Sequence, residues 1–478
     1  MLFNSPLFIF IFLPFVVLIY FSLNKLDYLV LAKAWLVLAS LFFYGYWNTD
    51  YLFLIITSIL FNYAVGKLLH KVNNENTKSK IIRKTILVKG IVLNLAALSY
   101  YKYTDFIIDN VNYIFDSDIP ALGLLLPLAI SFFTFQQVAY LVDCYKSDTQ
   151  EYSFLNYCLF VTFFPQLIAG PIVHHKEMMP QFSDKKNINV NHNNLAKGIF
   201  IFAIGLFKKV VIADSFAQWA NAGFDSKIAL HFWDAWGASL SYTFQLYYDF
   251  SGYTDMAIGA ALMFNILLPI NFNSPYKALT IQDFWRRWHM TLSRWLRDYL
   301  YIPLGGNRSG AVRTYINVMI TFILGGLWHG AAWTFVIWGA LHGLAISVHR
   351  LWQKTGFLLT PVVSWFLTFT FINFSWVFFR ANDIPSAINI LAGMLGLNGV
   401  GLNSQLMGAK SYMLTSELIL PYIAIFGLIA FLGKNSIEIS LNKLKYTFMD
   451  SLMVSLSLFL SIVFGIATVE SEFLYFNF

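Results

Sequence analysis

Long apolar segments recur along almost the whole chain, and they constrain its fold more than any other feature. A helix needs about 20 predominantly apolar residues to cross a bilayer, and only 12% of the residues are charged, against about 25% in a soluble domain. The sequence therefore predicts an all-α polytopic membrane protein. Some segments are short or interrupted by glycine, so we expect re-entrant and interfacial helices beside about eleven or twelve true spans. The candidate segments lie near residues 6–23, 29–46, 51–69, 85–102, 121–142, 153–172, 196–214, 230–248, 253–270, 313–328, 332–349, 361–379, 416–433 and 449–468.

Charged residues between these segments predict the orientation of the chain. Lys and Arg are concentrated in three loops, 70–84, 275–313 and 434–445. Acidic residues are concentrated in 103–118 and after residue 468. If every segment crosses, the basic loops share one side of the membrane and the acidic stretches share the other. Basic loops favour the cytoplasmic side, so we expect both termini on the opposite side.

Composition also limits the partners and the domain organisation. The net charge of +7 is explained by the basic loops, and no soluble basic segment is long enough to bind nucleic acid; membrane lipids are the expected partners. Cys144 and Cys158 show no disulfide or metal-binding spacing, and we predict no metal site. No linker separates two domains, so residues 1–478 are predicted to form a single integral-membrane domain.

The segment 283–298, "DFWRRWHMTLSRWLRD", predicts an amphipathic helix. At about 100° per residue its Trp, Phe and Leu side chains share one face, and its Arg and Asp side chains share the other. Ion pairs between residues four apart, such as Asp283 with Arg287 and Arg294 with Asp298, would stabilise the charged face. Such a helix is typical of an interfacial membrane anchor. His289 falls on the seam between the two faces, where an anchor gains nothing from an imidazole.

A second histidine, His329, stands in the apolar segment 324–339, "LGGLWHGAAWTFVIWG". Ionisable residues at membrane depth are costly and indicate function by default, although an interhelical hydrogen bond worth about 1 kcal/mol is the simpler interpretation. Gly325, Gly326 and Gly330 allow close helix packing, a helix break, or a backbone that approaches a ligand. An imidazole is largely neutral at pH 7 and can act as a general base.

Haem ligation is a competing use of histidines in a membrane. His329 and His342 are 13 residues apart, about 20 Å along a continuous helix, which is a separation found between two stacked haems. Each iron would need a further ligand from a second helix, and no other segment supplies a matching pair. Haem binding is therefore disfavoured.

Six motifs follow one another along the chain, and from the first to the last they span about half of it. They are "LPLAISFFTFQQVAYLVDCY" (126–145), "FFPQLIAGPIV" (163–173), "FQLYYDFSGYTDMAIG" (244–259), "DFWRRWHMTLSRWLRDYLYIPLGGNR" (283–308), "GGLWHGAAWTFVIWGALHG" (325–343) and "SWVFFRA" (375–381). In this order they resemble the membrane-bound O-acyltransferases (MBOAT), specifically the bacterial branch that includes alginate O-acetyltransferases. The fourth and fifth motifs carry most of the specificity.

The resemblance implies both a fold and a site. The fold would be a ring of tilted helices around a central tunnel, in which a cytoplasmic acyl donor meets an outward-facing acceptor, with the catalytic core at about 121–350. His329 would be the family's catalytic histidine and His289 its second catalytic position. The accompanying candidates for substrate or donor binding are Asp283, Trp285, Arg286, Arg294 and Trp328.

Acyl transfer to an alcohol needs a base for the hydroxyl proton and donors for the developing oxyanion. We hypothesise that His329 is the base, and that His289 polarises the thioester carbonyl or positions the acceptor. The arginines of 286–297 would attract the phosphates of acetyl-CoA, the expected donor substrate. Lipid headgroup binding is their alternative role. No bound cofactor is expected.

The expected function is O-acetylation of a cell-surface polysaccharide, such as alginate or another exopolysaccharide, at the bacterial inner membrane. The resemblance implies a periplasmic acetyltransferase as partner, and transfer is either direct or relayed through a nucleophile of that partner. Two alternatives come from the same family, peptidoglycan O-acetylation and D-alanyl transfer to a teichoic acid. The non-enzymatic alternative, a polysaccharide or lipid transporter, would need charged residues near the membrane midplane on several helices.

Overall fold

The architecture was examined in a computed structural model of the chain. The structure describes residues 1–72, 76–146, 153–168, 170–308, 310–401, 418–443, 447–467 and 473–474. Within these residues every regular element is helical and none is a strand. The prediction of an all-α fold is confirmed.

The helices are numbered α1 to α21 in chain order. They are α1 Leu13–Lys25, α2 Leu29–Gly45, α3 Asp50–Lys71, α4 Thr77–Lys102, α5 Thr104–Phe115, α6 Ile130–Tyr145, α7 Phe154–Thr162, α8 Phe164–Leu167, α9 His175–Met178, α10 His192–Phe207, α11 Asp214–Phe224, α12 Phe232–Met263, α13 Ile281–Trp285, α14 Met290–Leu296, α15 Ala311–His329, α16 Trp333–Thr355, α17 Pro361–Arg380, α18 Ile384–Met394, α19 Ile419–Leu432, α20 Ser436–Lys443 and α21 Phe448–Ala467. Wider π-helical turns occupy Phe8–Phe12, Lys208–Ala213 and Arg297–Tyr301.

Five stretches of the described chain are long and apolar enough to cross a membrane. They are Phe8–Lys25, Asp50–Lys71, Ala311–His329, Pro361–Arg380 and Phe448–Ile466. Three shorter apolar helices, α2, α18 and α19, accompany them. The chain is therefore a multi-pass membrane protein. The count of about eleven or twelve tilted spans and the central tunnel stay predictions.

Two of the predicted apolar segments are in fact one helix. The segments 230–248 and 253–270 were separated at the polar residues around Asp249, but α12 runs without a break from Phe232 to Met263. The helix continues because the Asp249 carboxylate is buried and ion-paired with the Lys209 ammonium, at 2.9 Å. A polar residue that finds a partner inside the protein does not end a helix, so the drop in hydropathy is misleading here.

The described residues form two compact units. One comprises Met1–Phe202 with Met256–Pro269, and the other comprises Ala203–Asp255 with Ile270–Leu474. All candidate site residues lie in the second unit. The prediction of one domain over residues 1–478 stays a prediction.

The first unit is built around a cluster of phenylalanine rings. Phe8, Phe12, Phe43 and Phe164 lie with their ring centroids 5.3–6.0 Å apart, and all four are buried. Such edge and tilted contacts add about 0.5–1.5 kcal/mol per pair beyond the burial of apolar area. This cluster joins the start of the chain to α2 and α8.

One buried arginine of α4, Arg83, caps the C-terminal ends of two other helices in the first unit. The Arg83 guanidinium donates to the carbonyl oxygens of Leu69 and Val72, at 2.6 and 3.0 Å, at the end of α3. It also donates to those of Cys144 and Tyr145, at 3.2 and 2.7 Å, at the end of α6. The last carbonyls of a helix have no partner within it, so one side chain satisfies the ends of both helices.

Candidate active site

The helices α15 and α16 form a hairpin whose close packing depends on glycine. A Cβ atom on Gly326 would lie 2.2 Å from the carbonyl oxygen of Phe335, and one on Gly339 would lie 2.3 Å from that of Phe322. No side chain fits at these distances, so glycine sets the separation of the two helices. The first helix ends at His329 and the second begins four residues later. The glycine-rich segment therefore provides both the close packing and the helix break.

His329 is the last residue of α15 and is held among aromatic rings. Its side chain is buried, and its imidazole centroid lies 4.9 Å from Trp328, 5.2 Å from Trp338 and 5.1 Å from Phe379. All three rings contact the imidazole at steep angles, so they restrict its rotation. The imidazole at this helix end is therefore held in a defined orientation.

His342 is a packing residue with both ring nitrogens in hydrogen bonds. The Trp285 indole N–H donates to its Nδ1 at 3.2 Å. Its Nε2 lies 3.1 Å from the hydroxyl of Ser375, which donates its own proton to the Ile372 carbonyl at 2.8 Å. The hydroxyl must therefore accept a proton from Nε2. Both nitrogens are used, and neither is available to a haem iron.

The assumption that His329 and His342 lie on one continuous helix, with the spacing of two stacked haems, is also wrong. His329 and His342 lie on different helices of the hairpin, because the chain reverses at Gly330 to Ala332. Both imidazoles contact the Trp338 ring, at 5.2 and 4.8 Å. They are thus much closer together than 13 residues of one continuous helix would place them.

The predicted amphipathic helix over 283–298 is interrupted at its centre. α13 ends at Trp285, α14 begins at Met290, and His289 between them has a left-handed backbone with φ 42° and ψ 53°. A non-glycine residue in this conformation costs about 1–3 kcal/mol and marks a constrained site. The seam position assigned to His289 on a continuous helix is therefore wrong. The side chain is instead fully buried.

Backbone bonds to the preceding loop hold this break in place. The Asn273 N–H donates to the Arg287 carbonyl at 2.9 Å, and the Met290 N–H donates to the Asn271 carbonyl at 3.0 Å. The Asn271 side chain lies between them, with its Oδ1 3.1 Å from Nδ1 of His289. These contacts replace the hydrogen bonds that a continuous helix would have made.

His289 stands outside the candidate spans and is enclosed by apolar groups. The Phe250 ring contacts the imidazole edge-on at 4.8 Å, and burial lowers the pKa of His289 to about 3. Its Nε2 has no hydrogen-bond partner within the described part of the chain. The imidazole is therefore neutral at physiological pH and has one nitrogen left for a ligand.

Trp328 brings the two candidate catalytic histidines into one cluster. Its ring centroid lies 6.3 Å from that of His289 and 4.9 Å from that of His329. These two distances limit the separation of the imidazole centroids to about 11 Å. The structure thus brings together three of the residues selected from the sequence, on α15 and on the turn before α14.

The other candidate residues differ in their burial and in their contacts. Asp283 forms an ion pair with Arg287, whose Nε donates to both carboxylate oxygens at 2.9 and 3.0 Å, as the spacing predicts. Arg286 is exposed, and Arg294 is partly buried. The partly buried Trp285 uses its N–H on His342, so its contribution is to support the hairpin. Of this group, Arg286 is the cation most accessible to an external anion.

Sequence reasoning missed a buried charge network in the second unit. Lys209 contacts Asp214 at 2.7 Å and Asp249 at 2.9 Å. Lys208 contacts Asp255 at 2.6 Å, and Ser436 donates to the same carboxylate at 2.5 Å. Two aspartates six residues apart in the apolar motif 244–259 were the available signal.

Metal chemistry has no candidate site in the part of the chain that the structure describes. No group of three or more His, Cys, Asp or Glu side chains is clustered there in a way that could hold an ion.

Comparison with known proteins relates the chain to one family of membrane enzymes. A family model described as MBOAT, membrane-bound O-acyltransferase, matches residues 17–381. The chain is 49% identical to a peptidoglycan O-acetyltransferase of Helicobacter pylori, over 100% of this chain and 98% of the relative. It is 37% identical to a probable alginate O-acetylase of Pseudomonas aeruginosa, over 90% of this chain and 82% of the relative. It is 29% identical to a teichoic acid D-alanyltransferase of Bacillus subtilis, over 49% of this chain and 62% of the relative.

Proposed function

Because this chain belongs to the membrane-bound O-acyltransferase family, we propose that it moves acetyl groups across the inner membrane to hydroxyl groups of peptidoglycan. The coarser assignment, an O-acyltransferase acting on a polysaccharide or peptidoglycan, follows from the family and its relatives. The transporter alternative is set aside, since these relatives are transferases. The observation that carries the proposal is the packing of two buried histidines against one tryptophan.

Peptidoglycan is proposed over alginate because of the extent of the similarity. The peptidoglycan enzyme is 49% identical over the entire chain, whereas the alginate relatives are 36–38% identical over 90% of it. The D-alanyltransferases match about half of the chain at lower identity, so D-alanyl transfer has less support. Alginate or another exopolysaccharide is the second candidate acceptor.

The proposed reaction is a direct attack of a glycan hydroxyl on a thioester. His329 removes the hydroxyl proton as the oxygen attacks the carbonyl carbon. The new C–O bond forms, the C–S bond breaks, and the thiolate takes up the proton from the imidazolium. His289, the second histidine of the cluster, polarises the carbonyl or positions the hydroxyl.

The donor is proposed to be acetyl-CoA, bound from the cytoplasmic side. Arg286 supports this assignment because its guanidinium is exposed, and guanidinium groups bind phosphate in a bidentate manner. Arg294 is partly buried and is the secondary candidate for binding these phosphates. A periplasmic acetyltransferase is the proposed partner, and its proposed role in this direct reaction is to present the glycan to the site.

The test is performed in the bacterium that carries the protein. We expect His329→Ala to remove more than nine-tenths of the O-acetyl groups from peptidoglycan (a loss of about tenfold, or 1.4 kcal/mol, in transfer), measured by mass spectrometry of muramidase digests. His192→Ala, at an exposed histidine, is the matched control and should leave acetylation unchanged. Unchanged peptidoglycan acetylation at normal protein levels contradicts the proposal. Loss of acetyl groups from an exopolysaccharide alone reassigns the acceptor.

A further inference from the structure

Three hydrogen-bond donors converge on a single side-chain oxygen next to His289. Asn271 Oδ1 accepts the backbone N–H of Thr291 at 3.2 Å and the Thr291 hydroxyl at 2.9 Å. Nδ1 of His289 lies 3.1 Å from the same oxygen. All three residues are fully or almost fully buried. The amide of Asn271 thus connects the loop at 271–273 to the turn that carries the imidazole.

This arrangement determines which imidazole nitrogen carries the proton. The backbone N–H of Thr291 can only donate, so the Asn271 atom facing it must be the carbonyl oxygen rather than the NH₂ group. A carbonyl oxygen can only accept, so Nδ1 of His289 must be the protonated nitrogen. Nε2 then carries the lone pair.

Two polar atoms of this cluster point to a ligand. Neither Nε2 of His289 nor Nδ2 of Asn271 has a hydrogen-bond partner within the described part of the chain. A buried polar group without a partner costs about 1–3 kcal/mol, so both atoms favour the arrival of a polar ligand. One is an acceptor and the other a donor, which is the pair that an alcohol oxygen and its proton require.

We infer that Asn271 is a positioning residue, which holds His289 with its Nε2 lone pair directed to a glycan hydroxyl next to the attacking one, whose own proton goes to His329. The inference rests on the proposed acyl transfer and chooses between the two roles left to His289. A nitrogen without a proton cannot donate to the thioester carbonyl, and the neutral state that burial favours keeps it so. His289 therefore binds the alcohol and does not polarise the carbonyl.

The two roles of His289 differ in their effect on the acceptor. Carbonyl polarisation accelerates attack by any nucleophile, including water, whereas alcohol binding accelerates transfer to the glycan only. Two reactions are therefore measured in membranes of the native host at equal amounts of folded protein. One is transfer of labelled acetyl from acetyl-CoA to a soluble muramidase fragment, and the other is hydrolysis of acetyl-CoA without the fragment.

The expected results separate the variants. Asn271→Leu and His289→Ala each reduce glycan transfer at least tenfold and leave hydrolysis within about threefold of the native rate. The double variant is at most about twofold worse than His289→Ala, because Asn271 acts through His289. Asn189→Leu, the same substitution at an exposed asparagine outside this cluster, is the control. It should retain transfer within about threefold.

Several results overturn the inference. A native rate of glycan transfer in Asn271→Leu would contradict the positioning role. A double variant in which the two single losses of transfer multiply would also contradict it, because Asn271 would then act on the loop and not through His289. Equal losses of transfer and hydrolysis in His289→Ala assign the histidine to the carbonyl. Failure of the proposed function is recognised separately, because His329→Ala would then leave both reactions unchanged.

Discussion

Two histidines of one hairpin, His329 and His342, stand in different surroundings. Both are buried and both contact Trp338. His342 has a hydrogen-bond donor on one side and a hydroxyl acceptor on the other, whereas His329 stands at a helix end among aromatic rings. Burial alone therefore does not distinguish a packing histidine from a candidate catalytic one.

Replacement of His342 should therefore affect stability more than activity. His342→Phe leaves the Trp285 indole N–H without its acceptor and the Ser375 hydroxyl without its donor, at a cost of about 1–3 kcal/mol for each buried group. We expect a lower melting temperature in detergent, with transfer per folded molecule within about threefold of native. Ser375→Ala, which removes the outer partner alone, should lower the melting temperature by less. Loss of transfer at native thermal stability would show that His342 takes part in the reaction.

The buried His289 should make the protein less stable in acid. Its folded-state pKa is about 3, whereas an unfolded histidine titrates near 6.5. Below that pH the unfolded chain binds a proton that the folded protein does not, so stability falls as pH falls. Between pH 7.5 and pH 5.0 we expect this residue alone to account for about 2 kcal/mol of lost stability. Denaturant titrations of the native protein and His289→Gln at both pH values measure the difference, and equal losses would contradict it.

At the scale of elements, helix ends rather than helix interiors form the candidate site. His329 ends α15 and His289 precedes α14. The position of the first was accessible from the sequence, because glycines surround an imidazole in an apolar segment. The break at the second was not, because the pattern of 283–298 suits a continuous amphipathic helix. The hydrogen bonds that interrupt it come from Asn271 and Asn273, which are distant from that pattern.

The hairpin should not tolerate a methyl group at its closest contact. Gly339→Ala places a Cβ 2.3 Å from the Phe322 carbonyl oxygen, so the helices must separate at a cost of about 1–3 kcal/mol or more. We expect a lower melting temperature and a loss of transfer, because the end of α15 carries His329. Gly465→Ala is the matched control in α21, since its nearest contact would be an ordinary 3.8 Å. Equal melting temperatures and equal transfer rates in the two variants would show that the hairpin accommodates a methyl group at residue 339.

Hydropathy predicts the elements of this chain better than their ends. The helices α3, α17 and α21 match predicted segments to within about two residues at each end, as expected for apolar spans in lipid. α6 begins at residue 130 although its segment was predicted from 121. α18 was missed because it has only 11 residues. Asn271 had no distinguishing signal, because an asparagine in a polar loop is expected for ordinary turn geometry.

At the scale of the whole molecule, buried charges join parts of the chain that are distant in sequence. Lys209→Met removes the cation that Asp214 and Asp249 share, and removing one partner of a buried ion pair costs about 3–5 kcal/mol. We expect little folded protein by size-exclusion chromatography in detergent. Lys227→Met, at an exposed lysine, loses the same charge and should fold normally. Similar yields of the two variants would show that the network contributes little to stability.

The Arg83 clamp also has a consequence for the order in which the protein assembles. The carbonyls of Leu69 and Val72 precede the arginine, but the one at Cys144 follows it by 61 residues. At a synthesis rate of about 5–20 residues per second, the guanidinium waits roughly 3–12 seconds for its last acceptors. During that interval the Arg83 guanidinium has its acceptors at the end of α3 but not those at the end of α6. We therefore expect α3 and α4 to associate first and their arrangement to be completed when the end of α6 supplies the remaining acceptors.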